Sequence, residues 1–587
     1  MPDKIESTIL QNSRSRPREF KDLTYAPSLP QKDGWEERIE RAVQLGISRH
    51  IYAYAPPTVL PMPMAAEKAA LVEAAEIIDW VGGWTANQAK IFADIEIWKL
   101  ESGNPPVFTT LAEYAQGFFT LFPAPDVIET WQDDRVFGSQ RLAGLNPLAV
   151  NLVTEGDNWN SLSQKLSPTI KSAEFNGQTL DELLRAGRLY VTDYVALQGL
   201  IPSEYQEKPQ YQMAPIALYV APYVKPGDFP GLLPLAIQFT QDPADSFVFL
   251  APQTSDTDFR WLMAKTYLQC ADLNQNQAVN HLALTHLVEE AFAMATHRHL
   301  ALQHPLFRLL DKHFTALLVI NEIGSKTLFN SGGLIDTVLD VRLSGALQLI
   351  KNAYATWTFD DMGLPAQLKG RGVDDPAQLP YYPYRDDGLI IWNRLGEYVR
   401  EYLGLYYLSD ADVVGDSELQ AWAQQLSGAS DDGAGKVPGF PPDITTLEQL
   451  CDIVQRIIWT AGPQHAAVNF PQTDYTNFVP NQPGTVGFPA QGVVTESVLV
   501  GLLPDTATTA AQVQTSYALA AYHYDKLLDY HLNAEDGSEA VVRKYQQRLI
   551  DVDQPIIVAR NQERANQPGL LVYPYFLPEN IPNSTSV

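Results

Sequence analysis

His281 and His286 stand five residues apart in the stretch Asn280-His281-Leu282-Ala283-Leu284-Thr285-His286-Leu287-Val288-Glu289-Glu290-Ala291. Imidazole is a common transition-metal ligand, and two rings that converge can hold one ion. On a regular α-helix a step of five residues turns the chain through roughly 500°, which leaves the rings roughly 140° apart. They meet at one point only if the helix is locally widened, as in a π-bulge, a feature enriched at functional sites. Taken alone, the pair also reads as two unrelated core or surface histidines. His465 and Asn469 lie four residues apart, one helical turn, so both side chains can address one point. Small Ala466 and Ala467 between them let a partner helix approach closely. Alone, this second pair is equally a set of satisfied polar core residues. Together the two segments offer three imidazoles and an amide oxygen, a donor set that suits iron or manganese better than structural zinc. No cysteine joins the set and no His-Glu-x-x-His occurs, which disfavours a zinc hydrolase.

The elements that must position these residues are mostly helical. No Gly or Pro occurs from Phe259 to Gln303, and the stretch is rich in Ala, Leu, Gln and Met, so it predicts a long helix. From Asp256 onward the pattern is helical, with loops at 365–387, 428–442 and 473–492. Strand signals are few and clustered, at 189–194, 216–221 and 234–239. At the N-terminus, a short amphipathic helix begins at Trp35, and Ala65 to Leu100 predicts helix broken near Gly82-Gly83. The expected fold is mainly α, with a small β subregion. At 587 residues and 45% hydrophobic content, a large buried core is available. The net charge of −28 argues against nucleic acid and against electrostatic attraction to an anionic membrane. Two cysteines, Cys270 and Cys451, exclude a disulfide framework. There is no signal-peptide pattern and no run of about 20 apolar residues, so a cytoplasmic chain is expected.

Beyond these motifs, the chain resembles the lipoxygenase family. The resemblance is carried by His281-x4-His286, the His297-Arg298-His299-Leu300 run, His304-Pro305, Ile320-Asn321, His465-Ala-Ala-Val-Asn469-Phe470 and the terminal Asn580-Ile581-Pro582-Asn583-Ser584-Thr585-Ser586. It extends to Trp261-x2-Ala264-Lys265, Arg371-Gly372-Val373, Tyr382-Pro383-Tyr384, Asp387-Gly388-Leu389 and Asp416-Ser417-Glu418-Leu419-Gln420-x-Trp422. Upstream, Arg141-Leu142-x-Gly144-x-Asn146-Pro147 and Asp193-Tyr194 also fit. The matching region runs from roughly Phe118 to the C-terminus. What the resemblance implies is a large helical catalytic domain, placed at 106–587, behind an N-terminal helical extension over 1–105 that has no β-sandwich domain. That departure from the common eukaryotic pattern suggests a bacterial-type enzyme.

Carried over residue by residue, the resemblance implies non-haem iron held by His281, His286, His465, Asn469 and the α-carboxylate of Val587. Manganese is the alternative metal. The family usually ends in Ile; the ligating group is main chain, so Val587 serves. Gln277 and Gln472 match the family's glutamines that link the substrate channel to the ligands. The implied reaction removes a bis-allylic hydrogen from a polyunsaturated fatty acid carrying a 1,4-pentadiene, and O2 adds to the resulting radical to give a hydroperoxide. The acidic chain leaves the apolar tail as the main source of binding energy. In Ile320-Asn321-Glu322-Ile323-Gly324-Ser325, Gly324 occupies the family position where glycine accompanies R products, while Ser325 replaces the usual Arg. Leu328, Ile335 and Leu339 align with channel-lining positions, and their spacing is also that of ordinary helix core. Arg185 or Arg188 is a candidate for the substrate carboxylate, weighed against a solvated helix face. His297, His299, His304 and His313 are assigned to packing and helix ends. The expected partners are the fatty acid and O2, with a monomeric chain and peripheral membrane contact through the N-terminal helices. A catalytically silent lipid-binding protein and a hydroperoxide isomerase are the competing readings.

Overall fold

One helix, running through Phe259–Gln275, Asn276–Leu287 and Val288–His299, is the axis of the protein. The computed structural model describes residues 26–55, 64–75, 78–205, 208–252, 258–330, 332–429, 435–520, 525–532 and 536–586. In chain order, the helices that matter for the site are α1 (Trp35–Ile51), α2 (Glu67–Val72), α3 (Ile78–Ser102), α4 (Asp134–Ala143) and the axial helix, α5. They continue with α6 (Leu317–Thr327), α7 (Leu334–Val338), α8 (Leu343–Thr356), α9 (Leu364–Gly370) and α10 (Pro383–Leu403). The series ends with α11, made of Leu447–Trp459, Thr460–Gln464 and His465–Asn469, and α12 (Thr506–Ala520).

Helix α5 begins where Asp258 accepts hydrogen bonds from the N–H groups of Arg260 and Trp261, satisfying donors that a first turn leaves open. Nearly its whole circumference is buried, so other helices must enclose it. α8 and α11 pack along its middle, and α1, α6 and the helix Ser417–Ser427 along its C-terminal third.

The β subregion is a five-stranded antiparallel sheet of β1 (Asn151–Leu152), β2 (Leu189–Asp193), β3 (Ile216–Val220), β4 (Leu233–Gln238) and β5 (Val248–Leu250), in sequential order. Tyr190 pairs with Tyr219 across β2 and β3, and the β3–β4 ladder shifts by a bulge between Leu218 and Tyr219. Side chains alternate faces. Leu189, Val191, Ile216, Leu218 and Val220 enclose a small separate core with Leu162, Leu183 and Leu184. Tyr190, Ala217, Tyr219 and Ile237 face the main core.

Several boundaries differ from the sequence expectation. α1 extends to Ile51, and α3 passes through Gly82-Gly83 without a break. The stretch expected as a loop over 365–387 contains α9 and the start of α10. Pro365 and Pro383 sit in the first turns of those helices, where the missing N–H costs nothing. Among the described residues up to Ser102, the regular elements are helical apart from one bridge, Tyr54 to Ala65.

The motif residues upstream of the sheet form a buried polar brace behind α5. Arg141 pairs with Asp272 at 3.0 Å, both side chains being 1% exposed, and also donates to Gln269. Asp272 accepts from Tyr194 Oη at 2.6 Å, Asn146 Nδ2 at 2.9 Å and Gln482 Nε2 at 3.3 Å. Asn146 Oδ1 in turn accepts from Asn280 Nδ2 at 2.8 Å. The brace ends one residue before His281. Removing one partner of a buried pair strands the other charge, at a cost of about 3–5 kcal/mol. The Arg141→Met variant should therefore lose that much in denaturant unfolding; a loss below about 1 kcal/mol would contradict the brace's role.

Candidate metal centre

The axial helix widens where the two histidines lie. Asn276–Leu287 is a π-helix, in which i→i+5 hydrogen bonding places residue i+5 over residue i. Thr285 reinforces the widened turn by donating from Oγ1 to the Asn280 carbonyl at 2.7 Å. His281 and His286 consequently face one another. Their ring centroids are 4.9 Å apart and their Nε2 atoms 3.2 Å apart. His465 arrives from α11, with its ring centroid 5.4 Å from that of His281 and 5.1 Å from that of His286. Ring nitrogens of the three lie within 4.8 Å of one another, and all three residues are buried.

Hydrogen bonds fix the tautomers. Glu290 Oε2 accepts from Asn321 Nδ2 at 2.7 Å, which fixes the direction of the Asn321 amide. Asn321 Oδ1 therefore faces His286 Nδ1 at 3.0 Å and accepts its proton. His281 Nδ1 donates to Gln277 Oε1 at 3.1 Å. Both Nδ1 atoms are protonated donors, so both Nε2 atoms carry lone pairs, and these point at each other across 3.2 Å. Bare, that arrangement is repulsive; a cation between the nitrogens makes it attractive. Two donors about 2.1 Å from one ion and at right angles lie about 3 Å apart, which matches the observed spacing. The residues present therefore fit a metal. Burial holds His281 well below the ordinary histidine range, with His286 adding to the effect, and holds His286 down to about 4. Both rings are neutral at pH 7, the form that ligates. Burial pushes the Glu290 carboxyl up to about 7, against the pull of the Ala65 N–H and the Asn321 amide.

Asn469 follows His465 by one turn and is fully buried. Its Nδ2 donates to the Leu519 carbonyl at 2.8 Å, and its Oδ1 accepts from Gln472 Nε2 at 2.5 Å. Asn276 of the π-helix donates to the Val468 carbonyl at 2.9 Å and ties α5 to α11. Just before His465, Thr460–Gln464 is a second π-helical turn containing Gly462 and Pro463. The sequence signal for it was that Gly-Pro pair inside a helix. A Cβ on Gly462 would lie 2.5 Å from the Pro582 carbonyl oxygen, so the C-terminal tail passes against this turn only because residue 462 is glycine. The tail is anchored beyond that point. Asn583 accepts from the Leu528 N–H and donates to the Lys526 carbonyl, and its own carbonyl faces His313 Nδ1 at 2.9 Å. Ser584, Thr585 and Ser586 are fully buried. Val587, the fifth candidate ligand, lies outside the described residues.

A cavity of about 150 Å³ opens beside His281 and His286. Gln277, Gly324, Leu328, Ile335, Leu339 and Gln472 all line it, as does Met64 from the N-terminal region. Typical ligand pockets measure roughly 300–1,000 Å³, so this one is narrow. Among the described lining residues there is no Lys or Arg. The candidate carboxylate partners lie elsewhere: Arg185 is exposed beside Asp181, and Arg188 donates to the Ala221 carbonyl beside the sheet. Gln277 and Gln472 each contact their own candidate ligand, and no hydrogen bond joins the two amides.

His297, His299, His304 and His313 have structural partners. His297 stacks on Tyr52 at 4.1 Å, and His299 bonds Gln425 at 2.8 Å. His304 donates to Asp416 at 2.9 Å and accepts from the Leu306 N–H, and His313 holds the tail. The Asp416 motif is thus a helix-end lock. Sequence reasoning did not assign a role to Glu290, Asn280 or Thr285, whose functions depend on contacts that no motif encodes.

The lipoxygenase family model matches residues 96–577. The linoleate 9/13-lipoxygenase of Pseudomonas aeruginosa is 36% identical over 489 residues, covering 80% of this chain and 69% of that protein. The mouse 12R-type arachidonate 12-lipoxygenase is 32% identical over 482 residues, covering 80% of this chain and 66% of that protein. An anaerobic crystal structure of a lipoxygenase variant in complex with arachidonate superposes with a TM-score of 0.85 at 27% identity, over 96% of this chain and 84% of that one. The chain belongs to the lipoxygenase family, and with it to the dioxygenase enzymes. The helical architecture with a small β subregion is that of lipoxygenase catalytic domains.

Two predictions rest on this geometry. The Gly462→Ala variant should displace the tail at Pro582 and lower bound metal per chain at least several-fold, read by elemental analysis; full occupancy would contradict the close approach. The second concerns pH. The folded-state pKa of His286, about 4, lies below its ordinary 6.5. Protons are therefore taken up on unfolding, and the histidine contribution to stability is present above pH 6.5 and lost as pH falls toward 4. The unfolding midpoint of the metal-free chain should drop over that window more steeply than that of His286→Gln. Equal slopes would contradict the assignment.

Proposed function

We propose that the chain is a non-haem iron dioxygenase that inserts O2 into polyunsaturated fatty acids with a cis,cis-1,4-pentadiene, such as linoleate, linolenate and arachidonate, and gives R-configured hydroperoxides. The observation that carries the reading is the trio His281, His286 and His465, clustered within 4.8 Å at the wall of an apolar cavity. In this reading His281, His286, His465, Asn469 and the α-carboxylate of Val587 hold the iron. When bound, the iron supplies the one-electron redox chemistry that removes a bis-allylic hydrogen. Manganese accepts the same donors, and elemental analysis separates the two.

The chain's own residues supply position and environment. Gln277 and Asn321 hold the Nδ1 protons and so turn both Nε2 lone pairs inward. Gln472 orients Asn469 from the cavity side. Leu328, Ile335 and Leu339 exclude water and align the pentadiene by apolar contact. The neutral wall favours capture of the acyl tail over capture of the carboxylate. Gly324 lies on that wall, and a Cβ there would meet only Leu328 Cδ1, at 3.9 Å. The space it leaves supports O2 entry at one end of the pentadiene. Three similarities point the same way: the Pseudomonas relative is named for linoleate, the solved neighbour holds arachidonate, and the mouse relative is named for a 12R product.

The N-terminal extension over 1–105 is read as the lipid-facing part of a cytoplasmic, monomeric enzyme. Leu71, Phe92 and Leu100 expose 65%, 52% and 84% of their surface on α2 and α3, and exposed apolar helix faces favour an interfacial location. Among the described residues, no helix is long and apolar enough to cross a membrane. Chiral product analysis on linoleate tests the reading. The wild-type chain should give a predominantly R hydroperoxide, and Gly324→Ala should shift the product toward S with the fold intact. Pure R product from Gly324→Ala would refute the stereochemical reading; no hydroperoxide from the iron-loaded chain would refute the activity.

A further inference from the structure

We propose that Glu290 is a positioning residue that couples an N-terminal strap, residues 64–75, to the metal centre through Asn321. The inference rests on the reading of His286 as an iron ligand. Glu290 is 1% exposed, and each of its oxygens has one partner. Oε2 accepts from Asn321 Nδ2 at 2.7 Å, and Oε1 accepts from the backbone N–H of Ala65 at 2.6 Å. Both oxygens face N–H donors and accept from them, which holds the Asn321 amide in one orientation, nitrogen toward Glu290 and oxygen toward His286 Nδ1. Asn321 Nδ2 also donates to the His286 carbonyl, at a longer 3.3 Å; with the shorter Glu290 bond lost, that contact alone holds the amide, which can then turn over and present its NH2 to His286 Nδ1. The imidazole proton then moves to Nε2, the atom that faces His281 and the ion.

The strap is built to deliver its N–H. Ala53 to Ala55 pairs with Met64 to Ala66, through Ala55 N–H to the Met64 carbonyl and Ala66 N–H to the Ala53 carbonyl, each at 2.8 Å. Those bonds occupy one edge and leave the Ala65 N–H on the other, toward Glu290. Farther along, Glu73 is 2% exposed and its Oε2 accepts from the Leu318 N–H, in the first turn of the helix that carries Asn321, at 3.0 Å. Glu67 pairs with Lys326 on the same helix. Met64 itself lines the cavity. One segment therefore forms cavity wall, clamps α6 and completes the chain Ala65–Glu290–Asn321–His286. It lies ahead of residue 96, where the family match begins.

The test uses the full-length chain loaded with iron, in the wild type, Glu290→Gln, Ala65→Pro and the double variant. Iron per chain, iron release to a chelator, the ferric EPR line shape and the thermal midpoint are measured on each. Glutamine can satisfy only one of the two donors, and proline at 65 removes the strap's N–H while also fixing φ there. Glu290→Gln should release iron about 10- to 100-fold faster with an altered EPR line shape. Ala65→Pro should do the same to a smaller degree, and the double variant should be no faster than Glu290→Gln, because both cut one bridge. Should Glu290→Gln fail to fold, Ala65→Pro decides by the same readouts. A lowered midpoint with wild-type iron release, or additive effects in the double variant, would overturn the coupling and leave the ligand assignment standing. A wild-type chain that holds no iron would overturn both.

Discussion

Two neutral imidazoles aim their Nε2 lone pairs at each other across 3.2 Å, and the rest of the structure serves that contact. It is unfavourable as it stands, and every neighbouring element prevents its relief. The π-helix keeps the rings from rotating apart. The Gln277 and Asn321 carbonyl oxygens prevent either ring from moving its proton inward. The Arg141–Asp272 brace, buried on both sides, reaches the helix through Asn146 and Asn280 and holds the widened turn in place. A positive ion held between the two nitrogens would turn that contact from repulsive to attractive, which is what the three-histidine cluster could provide.

The centre divides into a supporting side and a reacting side. On the supporting side, polar groups are dense and bonded to one another through Glu290, Asn321, Asn276 and the anchored tail at Asn583. On the reacting side the wall is aliphatic, with Leu328, Ile335 and Leu339 around the space that Gly324 leaves open. Polar order positions the histidines, and the cavity beside them is shaped by apolar side chains. The chain's formal charge of −28 does not reach this wall, among whose described lining residues there is no Asp, Glu, Lys or Arg.

How much of this was legible in the sequence depends on the range of each interaction. The five-residue spacing of His281 and His286 was informative because it conflicts with helical periodicity, and the conflict is resolved by the π-helix. The helical class and the three longer central strands follow from local pattern. Pro365 and Pro383 misled because proline both ends and begins helices, and here it begins them. Gly82-Gly83 lies inside α3 because two glycines weaken a helix without breaking it. Glu290 and Asn321 are 31 residues apart, and Ala65 contributes only a backbone N–H. A backbone donor carries no side-chain signature, so that coupling is visible only in three dimensions.

The account stands most directly on the metal and the chemistry it performs, measured on one sample. Elemental analysis of the purified chain, followed by conjugated-diene absorbance and O2 uptake on adding linoleate, joins the two. The account predicts close to one iron per chain, with diene formation and O2 consumption in equal amounts. A chain without iron or manganese, or one holding iron that neither forms diene nor takes up O2, would contradict it.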